Sequence, residues 1–250
     1  MHTRSRASTR QDKMRLKGKV ALVTGASSGI GKAIAGLFAK EGAEVILAAK
    51  DTRKLKAVQK EIQKEGGRAF SVSMDITKRN QVYNSIKTII KKYGRVDILV
   101  NNAGIARWDP IENVSDRDFD EHMLVNVTGY YNCIKAVVPY MVKRKSGAIL
   151  NIISGSGKNA RAGTVAYSTS KFGAAGLSDA VHEDLKKYGI NVTAIYPGKT
   201  DTPIHDAYLK KSDPKRKKFL RPEDVAKLVI YAATLPPYAK LKEVSLRPEE

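Results

Sequence analysis

The chain has 250 residues, 42% of them hydrophobic, with 45 Lys and Arg against 25 Asp and Glu, a formal charge of +20. That length and apolar share suit one sizeable α/β core and argue against a disordered polymer, and no apolar run reaches the ~18 residues that a membrane span needs. The single cysteine, Cys133, excludes an intrachain disulfide and a cysteine-built metal cluster, and reads as a small apolar residue on a helix in a protein of a reducing compartment.

Residues 1–13 are basic and nearly free of apolar side chains. They read as a disordered leader or tag, ahead of a single domain over 14–250. Strand-like and helix-like patterns then alternate. A short apolar strand at 19–24 leads into a helix at 30–41 with Ile30, Ile34, Leu37 and Phe38 at helical spacing, ended by Gly42. A second strand at 44–49 is followed by a charged helix at 52–64, stopped by Gly66 and Gly67. A third strand at 69–74 precedes a helix at 79–92, and a fourth lies at 98–100. One long helical region is predicted over 115–145, with Pro139 set to bend or break it. A strand at 148–153, a helix at 167–188, a strand at 192–196, a helix at 222–235 opened by Pro222, and a short strand at 244–246 complete the chain. This alternation predicts an α/β fold, a Rossmann-type doubly wound parallel sheet of about seven strands with helices on both faces. Ligands of such sheets bind beyond the carboxyl ends of the strands.

The candidate chemistry falls at those ends. Gly25, Gly29 and Gly31 lie between the first strand and its helix, with Ser27, Ser28 and Ile30 among them. Glycine there permits a tight turn and a close backbone approach to a pyrophosphate, and the helix amino terminus offers free N–H groups and the positive end of its dipole. Ser154 ends the fifth strand, and Tyr167 and Lys171 follow at i and i+4 of a helix. Residues at that spacing share a helix face, so an ammonium lies near a phenol. A free tyrosine, with a pKa of about 10, is a poor acid or base near neutrality; a neighbouring cation lowers that value. Tyr167 then exchanges a proton with a carbonyl or alcohol oxygen, which Ser154 holds in place. The pairs Tyr83/Lys87 and Tyr131/Lys135 share the spacing without the serine and read as ordinary helix-surface contacts. His122, His182 and His205 have no carboxylate company or metal-ligand spacing and read as incidental.

Taken in order, residues 24–31, Asp75, Asn101-Asn102-Ala103-Gly104, Asn126, Ser154, Tyr167-x-x-x-Lys171 and Pro197-Gly198 resemble the short-chain dehydrogenase/reductase family over about residues 16–235. The resemblance implies that Asp75, with Ile76 beside it, borders the adenine, and that Asn102, Ala103 and Gly104 border the cofactor. It implies that Pro197, Gly198, Thr200 and Thr202 lie near the nicotinamide amide, that Lys171 binds the nicotinamide ribose, and that Asn126 holds a water linking Lys171 to a proton relay. Members using NAD usually place an acid at the end of the second strand. Here that position is Ala49, with Lys50 and Arg53 following, so NADP(H) is the expected cofactor; Asp51 is the nearest acid.

The expected substrate is a small carbonyl or alcohol, enclosed by a loop at about 200–221 that is rich in Lys and Arg. The expected activity is hydride transfer between nicotinamide and a ketone or secondary alcohol. A 3-oxoacyl-carrier-protein reductase serving an acidic carrier protein is the alternative. However, those reductases usually end in a Val-Asp-Gly-Gly strand. The ending here, Leu235-Pro236-Pro237 through Arg247-Pro248, resembles the 3-hydroxy acid and small-carbonyl branch more closely. A non-catalytic nucleotide-sensing or nucleic-acid-binding relative is the alternative of another class. The charge is not accompanied by a nucleic-acid motif, so no specific nucleic acid and no membrane partner is expected. Cytoplasmic location and a homodimer or homotetramer built on the two long helices complete the expectation.

Overall fold

In the stretch Val20–Thr24 every residue is buried, the pattern of a strand covered on both faces rather than one. The computed structural model describes residues 14–236 and 238–249; the expected leader at 1–13 lies outside the described residues. Within them the strands are β1 (Val20–Thr24), β2 (Glu44–Ala49), β3 (Arg68–Ser73), β4 (Ile98–Asn101), β5 (Gly147–Ile152), β6 (Ile190–Pro197) and β7 (Glu243–Leu246). They form one sheet in the order β3-β2-β1-β4-β5-β6-β7. Every pairing is parallel.

The helices are α1 (Gly29–Lys40), α2 (Thr52–Lys64), α3 (Arg79–Tyr93), α4 (Asp116–Met123), α5 (Gly129–Arg144), α6 (Val165–Leu185) and α7 (Pro222–Ala233). Successive strand residues point to opposite faces, and the core divides accordingly. Ala21, Val23, Val45, Leu47, Ile98, Val100 and Leu150 meet α1, α2 and α7 through Ile34, Phe38, Leu55, Val58, Val225 and Val229. Leu22, Ile46, Leu99, Ile149 and Val192 meet α3, α5 and α6 through Val82, Ile86, Tyr130, Val137, Met141 and Ala174. Cys133 is buried in the second layer.

The long helical region differs from expectation in one respect. Pro139 sits inside α5 and the helix continues past it. The irregularity comes earlier, where Leu124–Thr128 widens into a π-helical turn joining α4 to α5. That turn carries Asn126, and such bulges recur at functional sites.

The amino-terminal edge of the sheet is tied by a buried carboxylate. Asp97 accepts from Val20 N (2.8 Å), Arg95 Nε (2.8 Å) and Arg144 Nη2 (2.7 Å). The carboxyl-terminal edge is held by Thr24, whose Oγ1 accepts from the amides of Asn102 (2.9 Å) and Ala103 (3.1 Å). The Asn102 side chain completes that junction by donating to Thr24 O at 2.9 Å.

Candidate active site

The strands β1 and β4 are adjacent in the sheet, and the chain leaves them toward opposite faces, so a crevice opens above their carboxyl ends. It is the mouth of a cavity of about 1160 Å³. That exceeds the ~1,000 Å³ at the upper end of single-ligand pockets, which leaves room for a large cofactor and a second molecule.

One lobe is the glycine loop. Gly25 has φ +64°, and a Cβ there would lie 2.8 Å from both the Ala103 Cα and the Asn102 amide nitrogen. At Gly31 a Cβ would fall 2.4 Å from the Gly25 carbonyl oxygen, so the first turn of α1 rests directly on the loop. Ser28 sits at the N-cap of α1 without a side-chain cap, and no acid occupies the first turn. The free amides and dipole end of that helix therefore face the cavity, where Ser27, Ser28, Gly29 and Ile30 line the wall. An anionic diphosphate fits this cradle.

Around the loop lie Ala49, Lys50, Asp51, Asp75, Ile76, Asn102, Ala103 and Gly104. Asp51 is engaged as the N-cap of α2, accepting from Lys54 N at 3.0 Å, which holds its carboxyl below the ordinary value. Burial works against ionisation of Asp75. Even so, hydrogen bonds from Thr77 and the charges of Lys50 and Lys78 keep it below the usual carboxylate range. Arg53 does not line the cavity; it lies in the first turn of α2, the turn that Asp51 caps. Gly31 and Asn126 also stay behind the wall rather than on it.

The second lobe holds Ser154, Tyr167 and Lys171, with Pro197, Gly198, Thr200 and Thr202 opposite the glycine loop. Ser154 Oγ accepts from Ser156 N at 3.1 Å, which leaves its proton for the Tyr167 phenol. Lys171 is 5% exposed, its Nζ donating to Ile152 O at 3.4 Å and lying 5.8 Å from the Tyr167 ring centre. A Cβ placed on Gly104 would be 3.1 Å from Asn126 Oδ1 and 3.6 Å from Lys171 Nζ, so all three meet at one point. Asn126 is fully buried. Its Nδ2 donates to Ile105 O (3.0 Å) and Ser170 Oγ (2.9 Å), and its Oδ1 accepts from Ile105 N (3.0 Å).

Two expectations need correction. A lowered Tyr167 pKa was expected from Lys171, but burial raises it and only the Ser154 hydrogen bond pulls it back. Both groups have left water, and burial brings Lys171 itself down to about 7. Of the three histidines read as incidental, two lie close to this lobe. His122 is fully buried, accepting from Arg107 N (3.1 Å) and donating to Asp118 O (2.7 Å), with its ring 6.4 Å from that of Tyr167. His182 lies against Val192 O. His205 lines the cavity itself, stacked 5.3 Å from Trp108.

The segment expected to enclose the substrate folds as two short 3₁₀ turns, Pro203–His205 and Pro214–Lys218. Its ends are joined by Asp201 N to Leu220 O (2.8 Å) and Leu220 N to Lys199 O (2.9 Å). Arg216 is not a free cation for a ligand, since it is buried between Asp201 and Asp206 at 2.7 Å each. Sequence reasoning missed Trp108; His205, Leu209 and Phe219, which line the same lobe, fall within the loop expected to enclose the substrate but were not singled out. Their positions after the fourth and sixth strands were the available signal. Among the described residues no group of three His, Cys, Asp or Glu is placed to hold a metal, and no helix is long and apolar enough to cross a membrane.

The short chain dehydrogenase family matches residues 19–213. The chain is 36% identical over 227 residues to a 3-oxoacyl-[acyl-carrier-protein] reductase of Thermotoga maritima, covering 88% of this chain and 92% of that protein. A metagenomic short-chain oxidoreductase solved in complex with NADP superposes with a TM-score of 0.82 at 34% identity, over 94% of this chain and 99% of that one. An alcohol dehydrogenase of Thermococcus sibiricus, solved with 5-hydroxy-NADP, gives 0.84 at 28% identity, covering 93% and 99%.

Proposed function

Because this chain belongs to the short-chain dehydrogenase family and is an oxidoreductase of that type, we propose that it transfers hydride between NADP(H) and a ketone or secondary alcohol. The convergence of Ser154, Tyr167 and Lys171 on one lobe of a cavity whose other lobe is an uncapped helix end carries this reading. The nicotinamide supplies the hydride when bound. The α1 amides and the glycine loop hold the diphosphate, and Asp75 and Ile76 border the adenine. Asn102, Ala103 and Gly104 form the floor, while Pro197, Gly198, Thr200 and Thr202 flank the nicotinamide amide. Lys50 is the cation nearest the expected 2′-phosphate, and Ala49 offers no carboxylate to repel it. The neighbours solved with NADP and 5-hydroxy-NADP support the phosphorylated form.

The protein's own part in the reaction is proton transfer. Ser154 donates to the substrate oxygen and fixes its place, and Tyr167 gives that oxygen its proton in reduction or takes it in oxidation. Lys171 lies buried 5.8 Å from the phenol ring centre, and in its protonated form stabilises the phenolate that remains. Asn126 holds the β4–α4 loop through Ile105 and stands beside Lys171 where a water relays the proton.

The decisive experiment follows reduced-nicotinamide absorbance with NADPH and with NADH over a panel of carbonyl compounds. Turnover with NADPH that disappears in Tyr167→Phe is the expected result. Turnover that survives the substitution excludes Tyr167 as the proton donor.

One observation favours a second reading. The Thermotoga relative is a carrier-protein reductase, and the outer face of the 201–219 segment carries exposed Lys210, Lys211, Lys215, Lys217 and Lys218. Such a surface suits an acidic carrier. A homo-oligomer is also proposed, built on α5 and α6, where Tyr131 is 40% and Phe172 45% exposed. Light scattering of the purified protein gives its mass directly.

A further inference from the structure

The reacting lobe has one wall of unusual composition. Trp108, on the loop after β4, has its ring centre 6.4 Å from that of Tyr167, with the planes at 88°. His205 stacks 5.3 Å from Trp108, and Phe219 follows 5.1 Å from His205. All three line the cavity together with Leu209. Burial, then the charge of Arg216, keeps the His205 ring below its ordinary pKa, so it presents a neutral aromatic face.

This wall is braced from behind. The Tyr208 ring lies 4.4 Å from that of Trp108, and its hydroxyl accepts from Trp108 N at 3.0 Å. Arg216 fastens the backbone beneath, bonding Asp201, Asp206 and the Leu209 carbonyl at 2.7, 2.7 and 2.9 Å. A surface fixed at both ends and along its length is shaped before its ligand arrives, which favours a rigid ligand over a flexible one.

We propose that Trp108, His205, Leu209 and Phe219 form a subsite for a ring, and that the substrates are cyclic or aryl ketones rather than open-chain 3-oxoacyl thioesters. The inference rests on the oxidoreductase reading and names its substrate class. A carbonyl oxygen held by Ser154 and Tyr167 places its carbon beside Trp108, so the ring contains that carbon or is attached to it directly. Offset or edge contact with an aromatic wall is worth several-fold to about tenfold in affinity for a flat ring, and an extended methylene chain forgoes it.

The test uses the full chain with NADPH. The panel holds cyclohexanone, acetophenone and 1-indanone against an acetoacetyl thioester. A parallel titration follows the fluorescence of Trp108, the single tryptophan in the chain, in cofactor-saturated protein. Ring ketones are expected to show kcat/KM at least tenfold above the thioester and to quench Trp108. Trp108→Leu is expected to lower the ring-ketone value about tenfold more than the thioester value, mainly through KM, with most of it restored in Trp108→Phe. A thioester preference, or equal losses for both classes in Trp108→Leu, overturns the subsite. Thioester turnover without quenching by ring ketones removes the subsite and keeps the oxidoreductase. Quenching by ring ketones without turnover of any carbonyl does the reverse.

Discussion

The Asn126 amide donates to the Ser170 hydroxyl across 2.9 Å, and so fastens the π-helical turn to α6 one residue before Lys171. Ser170 in turn donates to the Tyr167 carbonyl at 2.7 Å. A single asparagine therefore couples the position of the Tyr167–Lys171 helix to that of the β4–α4 loop. Asn126→Ala removes the partner of both the Ile105 amide and its carbonyl, at a cost of about 2–3 kcal/mol and a fall in Tm of roughly 4–12 °C. Activity is expected to fall further than this loss of stability accounts for, with kcat affected more than KM. Thermal melts and steady-state kinetics on the same preparation separate the two effects; an unchanged kcat would exclude the positioning role.

Ser154 and Tyr167 are expected to differ in degree. Tyr167→Phe removes the proton donor and should lower kcat by about 10²–10⁴-fold, while Ser154→Ala removes one hydrogen bond to the developing charge and should cost about 10²–10³-fold. NADPH binding, followed by energy transfer from Trp108, is expected to persist in both. Loss of binding would mean that the substitutions disturb the cavity rather than the chemistry.

At Gly31 a methyl group would press on the Gly25 carbonyl oxygen and the Asn102 amide, both 2.4 Å away. Even if the Asn102 side chain yields, the Gly25 carbonyl is backbone, so the loop itself must shift. Gly31→Ala is expected to weaken both NADPH and NADH at least tenfold, because the loop that meets the diphosphate is common to them. Calorimetric titration with each cofactor measures this; selective loss of one would contradict the assignment.

Lys50 is the position that should discriminate. Lys50→Asp places an acid beside the expected 2′-phosphate. It is expected to weaken NADPH by at least tenfold while leaving NADH within about threefold. Equal effects on the two would remove Lys50 from the phosphate site.

Lys171 predicts an unusual pH dependence of stability. In the fold, burial holds it at about 7, against 10.5 for the ordinary side chain. Between those values the unfolded chain binds a proton that the folded one lacks, so stability from this group rises with pH across the window. The penalty is complete below about pH 7 and absent above about 10.5. Lys171→Met therefore gains stability, about 1–3 kcal/mol at pH 7 after relaxation of the site, and the gain disappears as pH approaches 10.5. Denaturant titrations at pH 6, 8 and 10 test it; a destabilised variant at pH 6 would contradict the direction.

The glycine loop, the strand alternation and the Tyr167–Lys171 pair were legible because each is local. Turn geometry, short apolar runs and i,i+4 spacing are written within a dozen residues or so. The third strand was displaced by one residue, at Arg68 rather than 69, as element ends often are. The aromatic wall was not legible, since Trp108 and His205 meet only after the sheet order brings the ends of β4 and β6 above one crevice. Nor was the fate of Arg216. In sequence it is one cation in a basic run, and only folding sets Asp201 and Asp206 against it. The pKa of Tyr167 was misread for a related reason. Spacing says which groups are neighbours, while desolvation depends on everything packed around them.

The Asp97 knot binds Val20, Arg95 and Arg144 at the sheet edge opposite the cavity, and none of its members lines that cavity. Substitutions at the cavity rim therefore need not loosen it, and repairs to it need not disturb the rim. A scaffold partitioned in this way can change its ligand through drift in a few loops, so divergence of the rim is the cheapest route from this protein to a relative of different taste.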